Sequence, residues 1–142
     1  MIRVAVCVLG LAFLAYGELS EIRNEPNLEK RAELALQNAQ KMFQEAKAAY
    51  AEQKVEEAGR ALKEMQASVE LARDSLDATG KNPRKKPKYF KMGEKETQNL
   101  LRRLDGLENA MDLNDRKMIE GPKAKVQEVH DQWLNDIISG KK

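Results

Sequence analysis

This sequence of 142 residues contains one cysteine, Cys7, one histidine, His130, and one tryptophan, Trp133, and aromatic residues make up 5% of it. Each scarcity removes a class of chemistry. Cys7 lies in the apolar run near the N-terminus, so the chain beyond residue 17 has no thiol. Neither a disulfide nor a thiolate nucleophile can be built there. Structural zinc sites draw on several Cys or His ligands, and only His130 is on offer. Carboxylate-bridged iron bundles use Glu-x-x-His on two helices, whereas Glu128 and His130 are two apart and have no second copy. Covalent haem attachment needs Cys-x-x-Cys-His, which is absent. A haem or small-ligand carrier would have to pair His130 with Met42, Met65, Met92, Met111 or Met118, and methionine at helical spacing is usually core filling. There is no acidic calcium loop, no glycine-rich phosphate loop and no Gly-x-Ser-x-Gly elbow. Asp131 adjoins His130, but neighbours on a helix point about 100° apart. His130 therefore reads as a partly exposed helix residue. The chain is expected to be non-catalytic, with no cofactor and no metal.

Long hydrophobic runs are also missing, with one exception at the N-terminus. Arg3 is followed by an unbroken apolar stretch from Val4 to Leu14 and then by Ala15-Tyr16-Gly17. Charge, apolar core and small residues in that order form a secretory signal peptide, residues 1–17, with cleavage expected after Gly17 or Ala15. Only 14 residues separate Arg3 from Glu18, and a spanning helix needs about 20. An exported protein, periplasmic or extracellular, with no transmembrane span is the expectation. No cysteine stands at the cut, so lipid anchoring is not expected.

What remains is rich in charge and in helix formers. Beyond residue 17 there are 24 basic and 23 acidic residues, a balance that gives no general attraction to nucleic acid. The distribution is uneven: residues 18–78 carry a net −4, residues 79–92 a net +6, and residues 93–142 a net −1. Residues 18–27 show little periodicity and read as a flexible lead-in. Leu28, Ala32, Ala35, Ala39, Met42, Ala46 and Ala49 then recur in steps of 4 and 3, the mark of an amphipathic helix. Val55, Ala58, Leu62, Met65, Val69, Ala72 and Leu76 repeat the pattern, with Glu56 and Glu57 at the dipole-favoured start and Thr79-Gly80 as a stop. Ala51-Glu52-Gln53-Lys54 lacks Gly, Pro and an N-cap residue. A turn is nevertheless expected there, because an antiparallel hairpin over 28–78 covers both stripes.

Residues 79–91 read as a basic linker. A third stripe runs through Phe90, Gly93, Thr97, Leu100, Leu104, Leu107 and Met111, and a fourth through Val126, Val129, Trp133 and Ile137. Asn114 is the expected N-cap between them, and Gly121-Pro122 is expected to break the chain, so the last helix is placed at 122–139. The second hairpin is 92–142. Shifting the first hairpin by 61 positions sets Phe43 on Leu104, Met65 on Val126 and Ala72 on Trp133, a pattern an internal duplication would leave. The fold class is all-α: two helical hairpins, as a four-helix bundle or as tandem pairs across the linker.

Tyr50 to Ala61, YAEQKVEEAGRA, resembles the middle of a tetratricopeptide helical pair, though the usual glycine before the turn is missing. The resemblance implies a helical pair within 28–78. The segments LARDSLDATGKNPRKKPKYFK, LLRRLD and VQEVHDQWL resemble parts of small exported bacterial all-helical proteins of unassigned function. That resemblance implies an exported helical domain and brings no catalytic residues.

Two functional features stand out. Lys81, Arg84, Lys85, Lys86, Lys88 and Lys91 follow one another without an intervening acid, around Tyr89 and Phe90, and form a candidate contact for an anionic envelope surface or another polyanion. Trp133 is expected as a core anchor and is also a candidate partner anchor. The first expectation is a non-catalytic module for protein–protein interaction or self-assembly along its apolar stripes. The alternative is an envelope-surface or polyanion binder acting through residues 81–91.

Overall fold

The computed structural model describes residues 18–140. The signal peptide expected at 1–17 and the terminal Lys141-Lys142 lie outside the described residues. Among the described residues a short helical segment at 18–23 precedes four long helices: α1 (Leu28–Ala51), α2 (Val55–Ala78), α3 (Lys88–Ala110) and α4 (Lys117–Ser139). No strand occurs among the described residues. None of their helices is long and apolar enough to cross a membrane.

Local signals set most of the boundaries. The Asn27 side chain accepts from the Lys30 amide at 3.1 Å and caps α1, satisfying one of the amides that every helix start leaves open. Glu56 and Glu57 occupy the first turn of α2. Gly80, at φ 67°, and Gly140, at φ 71°, take the left-handed conformation that ends α2 and α4.

The turn between α1 and α2 forms as expected, without glycine. The Gln53 amide donates to the Tyr50 carbonyl and the Lys54 amide to the Ala49 carbonyl, the paired bonds of a Schellman ending. Gln53 holds φ 64°, the only described non-glycine residue at positive φ. Side chains are strained there. Gln53→Gly is therefore expected to raise stability by roughly 0.5–1 kcal/mol, measurable as a higher urea midpoint with an unchanged slope.

Three expectations need correction. Residues 18–23 are helical and docked, where a frayed lead-in was expected: Leu19 is buried, Ile22 packs against the core, and Lys41 pairs with Glu18. Too few residues precede Asn24 for periodicity to be readable. The α4 helix begins at Lys117 and runs through Pro122, which is buried inside it. Pro122 is the sixth residue of α4, beyond the turn whose amides are free, so it costs the helix one backbone bond. Burial of its ring accompanies that loss. Asn114 consequently sits in the preceding turn, and the N-cap is Arg116, whose side chain makes no capping bond.

α1 packs along α2, α3 along α4, α2 against α4 and α1 against α3. One continuous core joins residues of all four helices, from Ala32 and Phe43 through Met65 and Leu100 to Val126 and Trp133. The architecture is thus a four-helix bundle made of two hairpins. Displaced by 61 positions, α1 would run 89–112 and α2 116–139, close to the observed Lys88–Ala110 and Lys117–Ser139. The two hairpins share one element spacing.

Alanine dominates the α1 side of the first hairpin, so α1 and α2 approach closely. A buried hydrogen bond crosses them, from Asn38 Nδ2 to Ser68 Oγ at 2.9 Å. One turn earlier, Glu64 Oε2 is buried with no hydrogen-bond partner among the described residues. Burial pushes its carboxyl above the usual range, helped by Glu45 and Glu18 and opposed by Arg23. The sign follows from linkage: a carboxyl raised on folding stabilises most below its unfolded pKa, and that contribution is lost as pH rises through the folded value. Glu64→Gln is therefore expected to raise the melting temperature at pH 7. The gain should shrink as pH falls into the carboxylate range, which paired thermal melts would show.

Candidate anion-binding face

The basic segment is an ordered cap on one end of the bundle. Asn82 Oδ1 accepts from the amides of Arg84 (2.9 Å) and Lys85 (3.3 Å), and the Lys86 amide donates to the Asn82 carbonyl at 2.8 Å. An asparagine side chain bonding two residues onward is a local turn former. Pro83 is buried beneath it. The last turn of α4 leans on this loop: a Cβ built at Gly140 would meet Arg84 Cβ at 3.1 Å. The loop ends at Pro87, and α3 begins at Lys88, four residues before the expected second hairpin. Lys88 and Lys91 are thus helical, and Lys88 Nζ lies 5.3 Å from the centre of the Tyr89 ring.

The six cations named from sequence divide into one and five. Lys81 is half-buried and pairs with Glu29 at the start of α1. It ties the loop to the bundle. Arg84, Lys85, Lys86, Lys88 and Lys91 are all exposed, and none forms an ion pair among the described residues. Ion pairs elsewhere on the surface absorb cations in the ordinary way, for example Lys123 with Asp105 and Lys125 with Glu128. Exposed cations without an ion pair among the described residues also stand elsewhere, Lys47, Lys63, Lys95 and Arg102 among them. The linker end differs in holding five within residues 84–91 with no acid between them.

Trp133 is fully buried, at 0% exposure, so it is a core anchor and offers no surface to a partner. Its indole lies on α3 at Gly93, where a Cβ would meet Trp133 Cζ3 at 2.6 Å and Cε3 at 2.7 Å. Gly93 is thus the notch that admits the ring. Thr97 Oγ1 donates to the Gly93 carbonyl at 2.8 Å, one turn on. The indole Nε1–H has no acceptor among the described residues.

His130 is corrected from a partly exposed residue to a buried one. Its Nε2 lies 3.1 Å from Glu94 Oε1 on α3, and its Nδ1 lies 3.4 Å from Asp131 Oδ1. The partner across the bundle could not be read from the sequence, because it depends on the register of α3 against α4. Met42 and Met65 are buried core residues. Among the described residues no group of three or more His, Cys, Asp or Glu gathers as a metal site.

At the opposite end, a groove of about 950 Å³ opens between α1 and α3, lined by Phe43, Lys47, Tyr50, Arg103, Leu107 and Ala110 among others. Tyr50 closes its end: the hydroxyl donates to Asp115 Oδ2 at 2.9 Å and accepts from the Asp112 amide at 2.9 Å. Arg103 donates to Gln40 Oε1 at 3.1 Å and lies over the Phe43 ring. Sequence reasoning missed this groove, whose only local trace is Gly106 on its wall.

Comparison with known proteins adds no relative: no family model, no curated protein and no solved structure matches this chain.

Proposed function

We propose that this protein is an exported, non-catalytic helical bundle that attaches to a polyanionic envelope surface through the cations at its linker end. The single observation behind the reading is the group Arg84, Lys85, Lys86, Lys88 and Lys91, exposed, unpaired among the described residues and held on an ordered loop and helix start. Order matters because a loop that is already folded loses little backbone freedom on binding. Each cation near an anionic surface contributes about 1 kcal/mol, attenuated by salt. Export is supported by the signal-peptide pattern of residues 1–17. It supplies the context, since lipid headgroups and envelope polymers are the polyanions outside the cytosol.

The apolar stripes first read as partner surfaces face one another in the core. A protein partner remains a second reading on one observation, the groove between α1 and α3.

Sedimentation with an immobilised acidic polymer and with anionic vesicles tests the proposal. Binding at low salt should collapse at high salt. Lys85→Glu with Lys86→Glu should lower it by at least roughly tenfold, from the two attractions lost and the two repulsions added. Binding that is absent, or indifferent to salt, would refute the proposal. Sequencing the N-terminus of the protein from its own cells tests export: the mature chain should begin at Tyr16 or Glu18.

A further inference from the structure

We infer that the linker end docks on an anionic lipid bilayer, with Leu134 and Ile138 entering the headgroup region beside the cations. The inference rests on the anionic-surface reading and deepens it by choosing one surface. Three large apolar residues stand exposed among the described residues: Leu113, Leu134 (40%) and Ile138 (68%). Leu113 lies in the turn at the far end of the bundle. Leu134 and Ile138 are four apart on α4, hence neighbours on one side of it.

The register of α3 against α4 brings this pair to the basic face. The two helices run antiparallel, since Glu94 meets His130 while Asp105 and Glu108 meet Lys123. His130 and Leu134 are also four apart, on the flank of α4 that faces α3. Lys91 precedes Glu94 by one turn and so comes level with Leu134, and Lys88, a turn earlier, comes level with Ile138. Two residues past Ile138, Gly140 rests against Arg84. The acids nearby are Glu29, paired with Lys81; Asp77, which accepts from Gln132; Glu94, engaged by His130; and Asp131, one turn farther from the loop and accepting from Gln127. Asp136 on α4 is buried.

A soluble polyanion is recognised by charge and gains nothing from an exposed leucine and isoleucine. A bilayer offers negative headgroups and, just beneath them, an apolar layer, and interfacial binding draws on both. The mixed character of this end, cations on the loop and at the start of α3 with two exposed aliphatic side chains on the adjoining end of α4, matches the second arrangement.

The test uses the protein as its cells produce it, with vesicles of equal parts phosphatidylglycerol and phosphatidylcholine and, separately, a heparin column. Leu134→Ser with Ile138→Ser should lower vesicle partition roughly tenfold, the expected loss for two partly exposed aliphatic side chains, and leave heparin retention unchanged. Both side chains are exposed, and an unchanged melting temperature would confirm an intact fold. Lys85→Glu with Lys86→Glu should lower both. If the serine variant partitions like the unaltered protein, the bilayer inference falls while the polyanion reading stands. If the unaltered protein binds neither vesicles nor heparin, both fall.

Discussion

Trp133→Ala is expected to cost about 3–5 kcal/mol of folding stability. Trp133 is fully buried in the continuous core and seats its ring in the notch left by Gly93 on α3. Alanine would remove the largest side chain in the core and leave a cavity between α3 and α4, which the helix backbones can close only partly. A domain of this size is stable by about 5–15 kcal/mol in total, so the variant should sit near the edge of folding. Denaturant titration monitored by far-ultraviolet circular dichroism would show it as a large fall in midpoint. Part of the loss is offset, because the indole Nε1–H is buried without an acceptor among the described residues, and removing an unpaired donor relieves its desolvation cost. Trp133→Phe, which keeps a ring and discards that donor, should therefore be far milder than Trp133→Ala. Equal losses for the two would show that ring packing is not what Trp133 contributes.

Gly93→Ala is expected to destabilise by about 1–3 kcal/mol, although the same exchange in a helix interior normally adds stability. The new methyl would stand 2.6 to 2.9 Å from three carbons of the Trp133 ring, closer than carbon atoms can approach. A fully buried, rigid indole cannot swing aside, so α3 and α4 must part. Gly106 supplies the control within the same helix. A Cβ there meets nothing within 4 Å, so Gly106→Ala should stabilise by up to about 1 kcal/mol. Opposite signs for one chemical change in one helix would isolate the contact with Trp133. Combining Gly93→Ala with Trp133→Leu should recover part of the loss, since neighbours that share a cavity are not additive. If both glycine variants gain stability, Gly93 is not the seat of the ring.

Much of the fold was legible because the helical stripes follow from the 3.6-residue period alone. Leu28 and Val55 mark the starts of α1 and α2, and Thr79-Gly80 and Gly140 mark the ends of α2 and α4. The turn expected at 51–54, and found after Ala51, was inferred from the need to cover two apolar faces. The sequence could not show that Gln53 would take the left-handed position usually given to glycine. The misreadings have a common origin. Pro122 was read as a break and is buried within α4, and Gly93, read only as one position of a stripe, is the seat of the Trp133 ring; in both, tolerance depends on what surrounds the residue. The lead-in at 18–27 carries too few residues for a period, so its docking through Leu19 and Ile22 depends on a surface supplied by later helices.

The basic face divides in the same way. The run from Lys81 to Lys91 is plain in the sequence, and so is its lack of acids. That Lys81 is consumed by Glu29, that Asn82 folds the loop, and that Leu134 and Ile138 come level with Lys91 and Lys88 depend on residues up to 52 positions apart. By itself the chain determined the helices, their apolar faces and the concentration of positive charge, because these depend on local spacing and composition. Only tertiary structure decided which cations remain free, where the indole sits and which aliphatic side chains border the charge. Those depend on the register of one helix against another, which no window of sequence contains.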